Sequence, residues 1–437
     1  MATVTLTKTK LAQLGGEKTI RLEPGNIFTW PIVTEEDEAA VLEVLRAGKM
    51  SGTDVTEKFE KEFAVWQGTH FALGCNNGTA ALHSAMWAAG VTKGTEIIAP
   101  SITYWATAMP ALNLGAAIQF ADVDPVSLTL DPKDIEHRIH DNTRAIVVLH
   151  AYGHPADMDP IMAIAAKYNL KVIEDVSHAH GARYKGRKVG TIGDVAAMSM
   201  MTGKSFPIGE GGMLVTNNRL LYERAVAFGH YERTGESRYS NAERVVSDPS
   251  LQEYSGLPLG GVKYRMHQLS SAMGRGQLRH YDARVKKIQD GMNYFWDQVK
   301  DLPGLTEHRI KTRESDMGGW YAPIAGYKPE ALGGLPIETF CKAVSAEGVH
   351  GLSAGVNKPL HLHPLFHTAD IYGDGKPTML ANTTRDIRLG KGSLPVAEAA
   401  SGRNMYIPWF KNLNRPVIDE YAAAFRKVVE NYQELLK

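Results

Sequence analysis

The spacing of apolar and polar residues divides the chain into segments with different periods. Thr34, followed three residues later by Asp37, opens an acidic run that predicts a capped helix ending at Gly48. From Phe71 to about Asn217, short apolar runs of strand-forming residues alternate with amphipathic stretches of helical period. That alternation predicts a mostly parallel sheet covered by helices on both faces.

The pattern changes after this region. The runs VAAMSM and GGMLVT have no long helix between them, so we expect the sheet to be mixed at that end. The segment from Tyr231 to Gly261 is polar and aperiodic, which predicts a long excursion from the sheet. From Met266 to Lys300, apolar residues recur at helical spacing despite interior glycines and predict a long helix. The remainder, from Asp301, predicts a smaller α+β domain.

A chain of 437 residues is long enough for two domains, since a domain usually has about 100–200 residues. We therefore predict an α/β protein in four parts. Residues 1–50 form an N-terminal segment near the small domain, and residues 51–265 form the large domain. Residues 266–300 form the connecting helix, and residues 301–437 form the small C-terminal domain.

Composition and charge exclude several kinds of partner. Lys plus Arg and Asp plus Glu number 48 each, so no overall field favours nucleic acid or an anionic membrane. The sequence lacks the roughly 18 consecutive apolar residues of a membrane-spanning helix, so we expect a soluble protein. Cys75 and Cys341 lie far apart, and the N-terminus lacks the apolar core of a secretory signal. We therefore expect a cytoplasmic location.

Lys204 is the first candidate for chemistry. It lies in SMMTGKSFPIGEGGMLVTNN, between two predicted strands and before a glycine-rich turn. A lysine that is buried there has a lowered pKa, and Schiff-base chemistry needs its neutral amine. A lone lysine after a strand is more often a solvated side chain, so the neighbouring motifs decide between the two.

Asp175 ends the strand KVIED, at the edge where open α/β sheets bind ligands. A carboxylate in that position can pair with a pyridinium nitrogen and keep an electron-withdrawing ring protonated. The alternative is a helix cap or a loop ligand.

Gly78 and Thr79 follow the strand FALGC and open the helix TAALHSAMWAAG. The free N–H groups of such a helix start suit a phosphate, although many Gly-Thr pairs merely start helices. In PSITYWAT, Tyr104 and Trp105 follow the strand EIIAP, and one of these rings is able to cover a flat cofactor. Core packing is the alternative for Trp105.

Taken in order, the motifs GTAAL, PSITYWAT, YGHPADMD, VIEDVSHAHGA, GKSFPIGEGGMLVTN and GGVKYRM resemble the DegT/StrS type of sugar aminotransferase. The resemblance is close from about Glu35 to Arg279 and looser elsewhere. It implies the fold type I architecture of pyridoxal-phosphate (PLP) enzymes, with a mostly parallel seven-stranded sheet in a large domain and a smaller α+β domain. It also implies a homodimer with active sites at the subunit interface.

The resemblance makes Lys204 the Schiff-base lysine and Asp175 the partner of the pyridine nitrogen, in agreement with the chemistry above. It places Gly78, Thr79 and Ser199 on the cofactor phosphate. The stacking aromatic residue falls on Tyr104. His178 stands where the family usually has Gln, and its expected contact is the cofactor ring or its phenolic oxygen.

Two further positions depart from the usual motifs or leave alternatives open. Lys263 in GGVKYRM replaces an Asn that, in many members, reaches the phosphate site of the neighbouring subunit, and a lysine is able to do this as a point charge. A surface charge is the alternative. His361 and His363 lie two residues apart, but no third metal ligand of suitable spacing is evident, so we expect no metal. The resemblance suggests a substrate-side role for His361.

The predicted reaction is a ping-pong transamination in which the freed Lys204 amine moves a proton between substrate and cofactor. The resemblance implies glutamate or glutamine as the amino donor. The acceptor is either a nucleotide-linked keto-sugar or a cyclitol ketone, because cyclitol members also have a Gly before the lysine, as Gly203 is here. The alternatives are a PLP-dependent sugar dehydratase, which has His in place of the lysine, and a non-catalytic PLP-binding regulator.

Overall fold

The computed structural model describes residues 10–235 and 245–437. The strands, in chain order, are β1 (Phe71–Cys75), β2 (Glu96–Pro100), β3 (Ala117–Ala121), β4 (Thr143–Leu149), β5 (Lys171–Asp175), β6 (Arg183–Tyr184), β7 (Arg187–Lys188), β8 (Val195–Ser199), β9 (Gly212–Thr216), β10 (Leu305–Glu307), β11 (Ile324–Tyr327), β12 (Ser353–Ala354) and β13 (Asn404–Tyr406). The α-helices are α1 (Glu35–Arg46), α2 (Asp54–Gln67), α3 (Gly78–Ala88), α4 (Pro110–Asn113), α5 (Pro132–His137), α6 (Met158–Tyr168), α7 (Arg219–Gly229), α8 (Pro249–Gln252), α9 (Gln268–Val299), α10 (Ile337–Ala346), α11 (Leu365–Thr368), α12 (Thr378–Ala381), α13 (Pro395–Arg403) and α14 (Arg415–Glu430).

The large sheet has seven strands in the order β1-β9-β8-β5-β4-β2-β3. Strands β8, β5, β4, β2 and β3 pair in parallel, whereas β9 is antiparallel to both of its neighbours. The short connection between β8 and β9 contains no helix, and a parallel pair would need a much longer crossover. The α/β fold class and the mixed end of the sheet, both predicted from the sequence, are confirmed.

The capped helix and the long helix of the prediction pack against each other. Thr34 and Asp37 form a capping box at the start of α1, in which each side chain accepts a hydrogen bond from the other residue's backbone N–H. A Cβ atom on Gly276 of α9 would lie only 1.9 Å from Oδ1 of Asp37. The glycine inside α9 therefore lets α1 approach closely, which offsets its poor helix propensity.

A second, antiparallel sheet has the order β10-β11-β13-β12. It shares an apolar core with α9, α10 and α14, in which Phe295 packs 5.5 Å from Phe425 between ring centroids. The N-terminal segment joins this core through Leu11 and Ile27. The division of the chain at residues 50, 265 and 300 stays a prediction.

After β12 the chain returns to the large sheet. Phe366 packs on Phe120 of β3 with ring centroids 4.9 Å apart. The backbone N–H groups of Val396 and Ala397 donate to the carboxylate of Asp122, at 3.0 and 2.8 Å. This stretch of the C-terminal region thus covers the β3 edge of the large sheet, which the sequence did not predict.

The predicted excursion from Tyr231 to Gly261 includes residues 236–244, which lie outside the described residues. Of the remainder, residues 249–252 form the short helix α8. Within 10–235 and 245–437, no helix combines the length and the apolar character needed to cross a membrane.

Candidate active site

One cavity of about 340 Å³ collects most of the residues that the sequence singled out. It lies beyond the C-terminal ends of β5 and β8, where open α/β sheets place ligands. The predicted residues in its lining are Gly78, Thr79, Tyr104, Asp175, His178, Ser199 and Lys204. Lys263 and His361 do not line it.

The start of α3 forms one end of the cavity. Asn77 caps the helix, since its side chain accepts the N–H of Ala80 at 2.8 Å. Gly78 lies so close to the adjacent strand that an added Cβ would be 2.5 Å from Cβ of Ser199. The glycine therefore lets the helix start approach Ser199, and the N–H groups of this turn with the nearby hydroxyls make a site suited to phosphate.

Lys204 is held in the connection between β8 and β9. Its backbone N–H donates to the carbonyl of Met201 at 2.8 Å, and its own carbonyl accepts Nε1–H of Trp30 at 2.9 Å. The side chain is only 8% exposed, and Nζ lies 4.2 Å from the ring centroid of Tyr321. Burial lowers the pKa of Lys204 to about 8, against the opposing effect of the Asp175 carboxylate. A substantial fraction of this amine is therefore neutral near pH 8.

Asp175 ends β5 and is held on both carboxylate oxygens. Thr107 donates to Oδ2 at 2.7 Å, and the N–H of Ser177 donates to Oδ1 at 3.0 Å. The hydroxyl of Thr107 lies 2.5 Å from that of Thr103, which fixes its direction. Ser177 in turn accepts the N–H of Ser199 at 2.9 Å, so one residue connects the carboxylate with the helix-start end of the cavity. The carboxylate is buried and oriented before any ligand binds.

His178 is neutral in this setting. Burial, with the added repulsion of Lys204, lowers its pKa well below the usual value. Its Nδ1 atom lies 3.4 Å from the backbone N of Tyr152, the distance of a long hydrogen bond that the N–H donates. Nδ1 is then the acceptor, so the ring proton resides on Nε2, which remains a donor.

His361 has a different environment from the one predicted. It is buried, with Nδ1 2.7 Å from the hydroxyl of Ser101 and Nε2 3.1 Å from a carboxylate oxygen of Glu398. Because both ring nitrogens have partners within the chain, the imidazole connects β2 to α13. This geometry offers no support for a direct contact with substrate.

The remaining candidates differ in exposure. Lys263 is exposed and lies outside the cavity of its own chain, so a single chain does not test a role in a neighbouring subunit. Tyr104 lines the cavity and is 54% exposed, whereas Trp105 is outside the lining. His363 is exposed. Among the residues that the structure describes, three or more metal-ligating side chains do not cluster anywhere.

Sequence reasoning missed several lining residues. Thr107 and Ser177 lie within the motifs PSITYWAT and VIEDVSHAHGA but were not singled out there. The signal for them was the Asp175 carboxylate, which needs hydrogen-bond donors. Tyr321, Asn357 and Tyr406 come from distant parts of the chain and carry no local motif. There the backbone N–H of Asn357 donates to the hydroxyl of Tyr152 at 3.2 Å, while Tyr406 lies 3.4 Å from the Asn357 amide oxygen. Only the fold brings this polar wall to the cavity.

These residues fit PLP. A phosphate fits the narrow cradle between Gly78 and Ser199, and the fixed carboxylate of Asp175 fits a protonated ring nitrogen. The buried, partly neutral amine of Lys204 fits the cofactor's carbonyl carbon.

Comparison with known proteins agrees with this arrangement. Residues 31–426 match the DegT/DnrJ/EryC1/StrS aminotransferase family. GDP-perosamine synthase of Caulobacter vibrioides is 39% identical over 373 residues, covering 85% of this chain and 89% of that protein. L-glutamine:scyllo-inosose aminotransferase of Streptomyces griseus is 30% identical over 422 residues, covering 93% and 95%.

A solved structure extends the agreement to the fold. The aminotransferase from Psychrobacter cryohalolentis superposes with a TM-score of 0.77 at 27% identity, over 93% of this chain and 99% of that chain. The chain therefore belongs to the DegT/DnrJ/EryC1/StrS aminotransferase family and is a PLP-dependent aminotransferase.

Proposed function

We propose that this enzyme transfers an amino group from glutamate or glutamine to the ketone of a nucleotide-linked sugar or of a cyclitol, by a ping-pong mechanism. The observation that carries the proposal is the buried amine of Lys204, whose pKa is lowered to about 8, in one cavity with Asp175 and the start of α3. The names of the relatives, which include a GDP-perosamine synthase and an L-glutamine:scyllo-inosose aminotransferase, support both acceptor classes.

PLP, when bound, supplies an electrophilic carbonyl and a cationic ring that withdraws electrons from the substrate carbon. The residues of the cavity would hold this group in place. Gly78, Thr79 and Ser199 would bind the phosphate, the Asp175 carboxylate would pair with the ring nitrogen, and Tyr104 would stack on the ring. His178 would donate Nε2–H to the phenolic oxygen, which agrees with the tautomer that its Nδ1 contact implies.

Lys204 then acts as both base and acid. Its Nζ would take the proton from the α-carbon of the donor and deliver it to the cofactor. In the second half-reaction the same atom would carry a proton back to the former ketone carbon of the acceptor. Burial favours the neutral amine needed for the first step, and the nearby Asp175 opposes that effect only in part. The low exposure of Nζ also limits exchange of the captured proton with water.

We further propose a cytoplasmic homodimer. Two free, buried cysteines support a reducing compartment. The proposed role of Lys263 in the phosphate site of the neighbouring subunit rests on its place in the motif GGVKYRM, and its exposure leaves the amine accessible to a partner. His361 is proposed to act on substrate only indirectly, by fixing the end of β2 through Ser101.

The test separates cofactor binding, donor chemistry and acceptor choice. Purified enzyme with PLP is mixed with a panel of amino donors while the cofactor absorbance is followed. Reactive donors are then paired with nucleotide-linked keto-sugars, cyclitol ketones and simple ketones. We expect glutamate or glutamine to convert the cofactor, and Lys204→Ala to abolish both conversion and turnover.

The matched control is Lys328→Ala, because Lys328 is an exposed lysine that directly follows β11 and lies outside both cavities. This variant should behave as wild type. Turnover by Lys204→Ala at the wild-type rate would refute the assignment. Silence toward every donor would favour a non-catalytic binding protein, and loss of a hydroxyl from the sugar without amination would favour a dehydratase.

A further inference from the structure

A second cavity of about 390 Å³ adjoins the active site. The two cavities share Ala322 and Tyr406 in their linings. Tyr321 stands between them, since its ring is 4.2 Å from Nζ of Lys204 and 5.9 Å from the ring of Trp409. The second cavity therefore lies next to the wall of the active site that Tyr321 forms.

The lining of this second cavity is largely aromatic and apolar. Phe28 and Trp409 present rings, and Pro323, Ile407 and Pro408 add apolar surface. Besides Lys411, the polar side chains in the lining are His350 and Tyr406. Lys411 contributes the amine, and its backbone is fixed by donation to the carbonyl of Ile27 at 2.8 Å. The mechanism above uses none of these residues.

The amine of Lys411 is buried without a counter-ion. Its side chain is 7% exposed, and Nζ lies 3.5 Å from the ring centroid of Trp409. It donates to the Trp409 carbonyl at 3.1 Å, which engages one of the three donors of an ammonium group. Within the part of the chain that the structure describes, it forms no ion pair with a carboxylate, and burial lowers its pKa to about 7. An anion that entered this cavity would meet donors already in place.

We propose that the second cavity binds a phosphate group of the amino acceptor, and that Lys411 selects phosphate-bearing acceptors over uncharged ketones. The inference rests on the proposed function and deepens it. An α-carboxylate of the donor is bonded directly to the reacting carbon, so it must stay beside Lys204. A phosphate several bonds away from the ketone suits a cavity beyond Tyr321, and the rings of Trp409 and Phe28 suit an attached base.

The first experiment measures binding of GDP, UDP and inorganic pyrophosphate to the PLP-loaded enzyme by calorimetry. We expect Lys411→Met to weaken binding at least about tenfold, because a charge-assisted contact is lost. Lys411→Arg should retain binding, and so should the exposed control Lys328→Met. Equal affinity in Lys411→Met and wild type would overturn the proposal.

Proton uptake gives a second measurement, on the wild-type enzyme, that remains valid if Lys411→Met does not fold. At pH 8 a lysine of pKa about 7 is roughly nine-tenths neutral, and a bound anion favours its charged form. Binding should therefore take up close to one proton, read from the buffer dependence of the heat. His350 also lines the cavity and is kept in Lys411→Arg, so this variant should bind without the uptake if Lys411 is its source. Equal uptake by the two proteins would overturn the proposal.

The donor half-reaction separates this proposal from the proposed function. Conversion by glutamate or glutamine should be unchanged in Lys411→Met, while KM rises for a phosphate-bearing keto-sugar and not for a cyclitol ketone. A weaker half-reaction in Lys411→Met with unchanged phosphate binding would assign the amine to the donor carboxylate and overturn the proposal. Failure of the half-reaction in wild type would instead refute the proposed function.

Discussion

Thr107 offers a direct test of how the Asp175 carboxylate is held. Its hydroxyl donates to Oδ2 at 2.7 Å, and Thr107 is 1% exposed, so water does not readily replace it. Thr107→Val keeps the shape and removes the donor. A hydrogen bond to a charged group contributes about 1.5–3 kcal/mol. The N–H of Ser177 still holds Oδ1, so we expect a loss near the lower value, which corresponds to a roughly tenfold slower proton abstraction.

The assay is a single turnover in a stopped-flow instrument, with glutamate or 2-deuterated glutamate and the cofactor absorbance as the signal. Thr107→Val should lower the rate constant and keep a substrate isotope effect, because the slowed step moves the C2 proton. A folding defect would lower the amplitude instead. Thr56→Val is the control, since Thr56 is equally buried and its hydroxyl contacts Ser271, outside the cavity. A rate constant for Thr107→Val within twofold of wild type, or an equal loss in Thr56→Val, would refute the reasoning.

Four other outcomes follow from the site. Gly78→Ala places a Cβ 2.5 Å from Cβ of Ser199, so PLP titration of the cofactor-free protein should show weaker binding, and wild-type affinity would disprove the cradle. Asp175→Asn should keep PLP bound but slow the glutamate half-reaction by roughly 100-fold, as for loss of a major electrostatic group; an unchanged rate would remove Asp175 from this role. Capture of PLP by the cofactor-free protein needs the neutral amine of Lys204. The capture rate should therefore rise about tenfold per pH unit below pH 8 and level off above it. A rate that is constant from pH 6 to 9 would contradict the lowered pKa of Lys204. Mixed dimers of Lys204→Ala with Lys263→Ala should regain some activity, whereas no recovery would place Lys263 in its own chain's site.

Local patterns carried much of the prediction. The capping box at Thr34, the start of α3 at Gly78 and the mixed end of the sheet follow from short-range rules of capping and connection length. Lys204 and Asp175 lie 29 residues apart in sequence, yet they line one cavity because β5 and β8 are parallel neighbours. The rule that ligands bind at the C-terminal edge of such strands was therefore sufficient to predict that the two residues share one site.

Other parts of the site had no such signal. Asn357 and Tyr406 reach the cavity from segments whose own patterns predict only a small α+β region. His361 shows the converse, because its motif suggested substrate contact while the fold enclosed it between Ser101 and Glu398. Lys411 resembles any lysine in sequence, and its burial depends on the fold, which brings Ile27 and Phe28 of the N-terminal segment beside it.

The sequence by itself determined the alternation of strands and helices, the family, and the lysine and carboxylate that carry the chemistry. Each of these features is recognised from periodicity or from motifs of a few residues, and so does not depend on contacts between distant segments. The tertiary structure alone decided which side chains complete the cavity, how the Asp175 carboxylate is oriented and which lysine amines are buried from solvent. Burial and packing between separate segments set those properties, because desolvation and hydrogen-bond geometry depend on contacts such as Thr107 with Asp175 and Trp30 with Lys204.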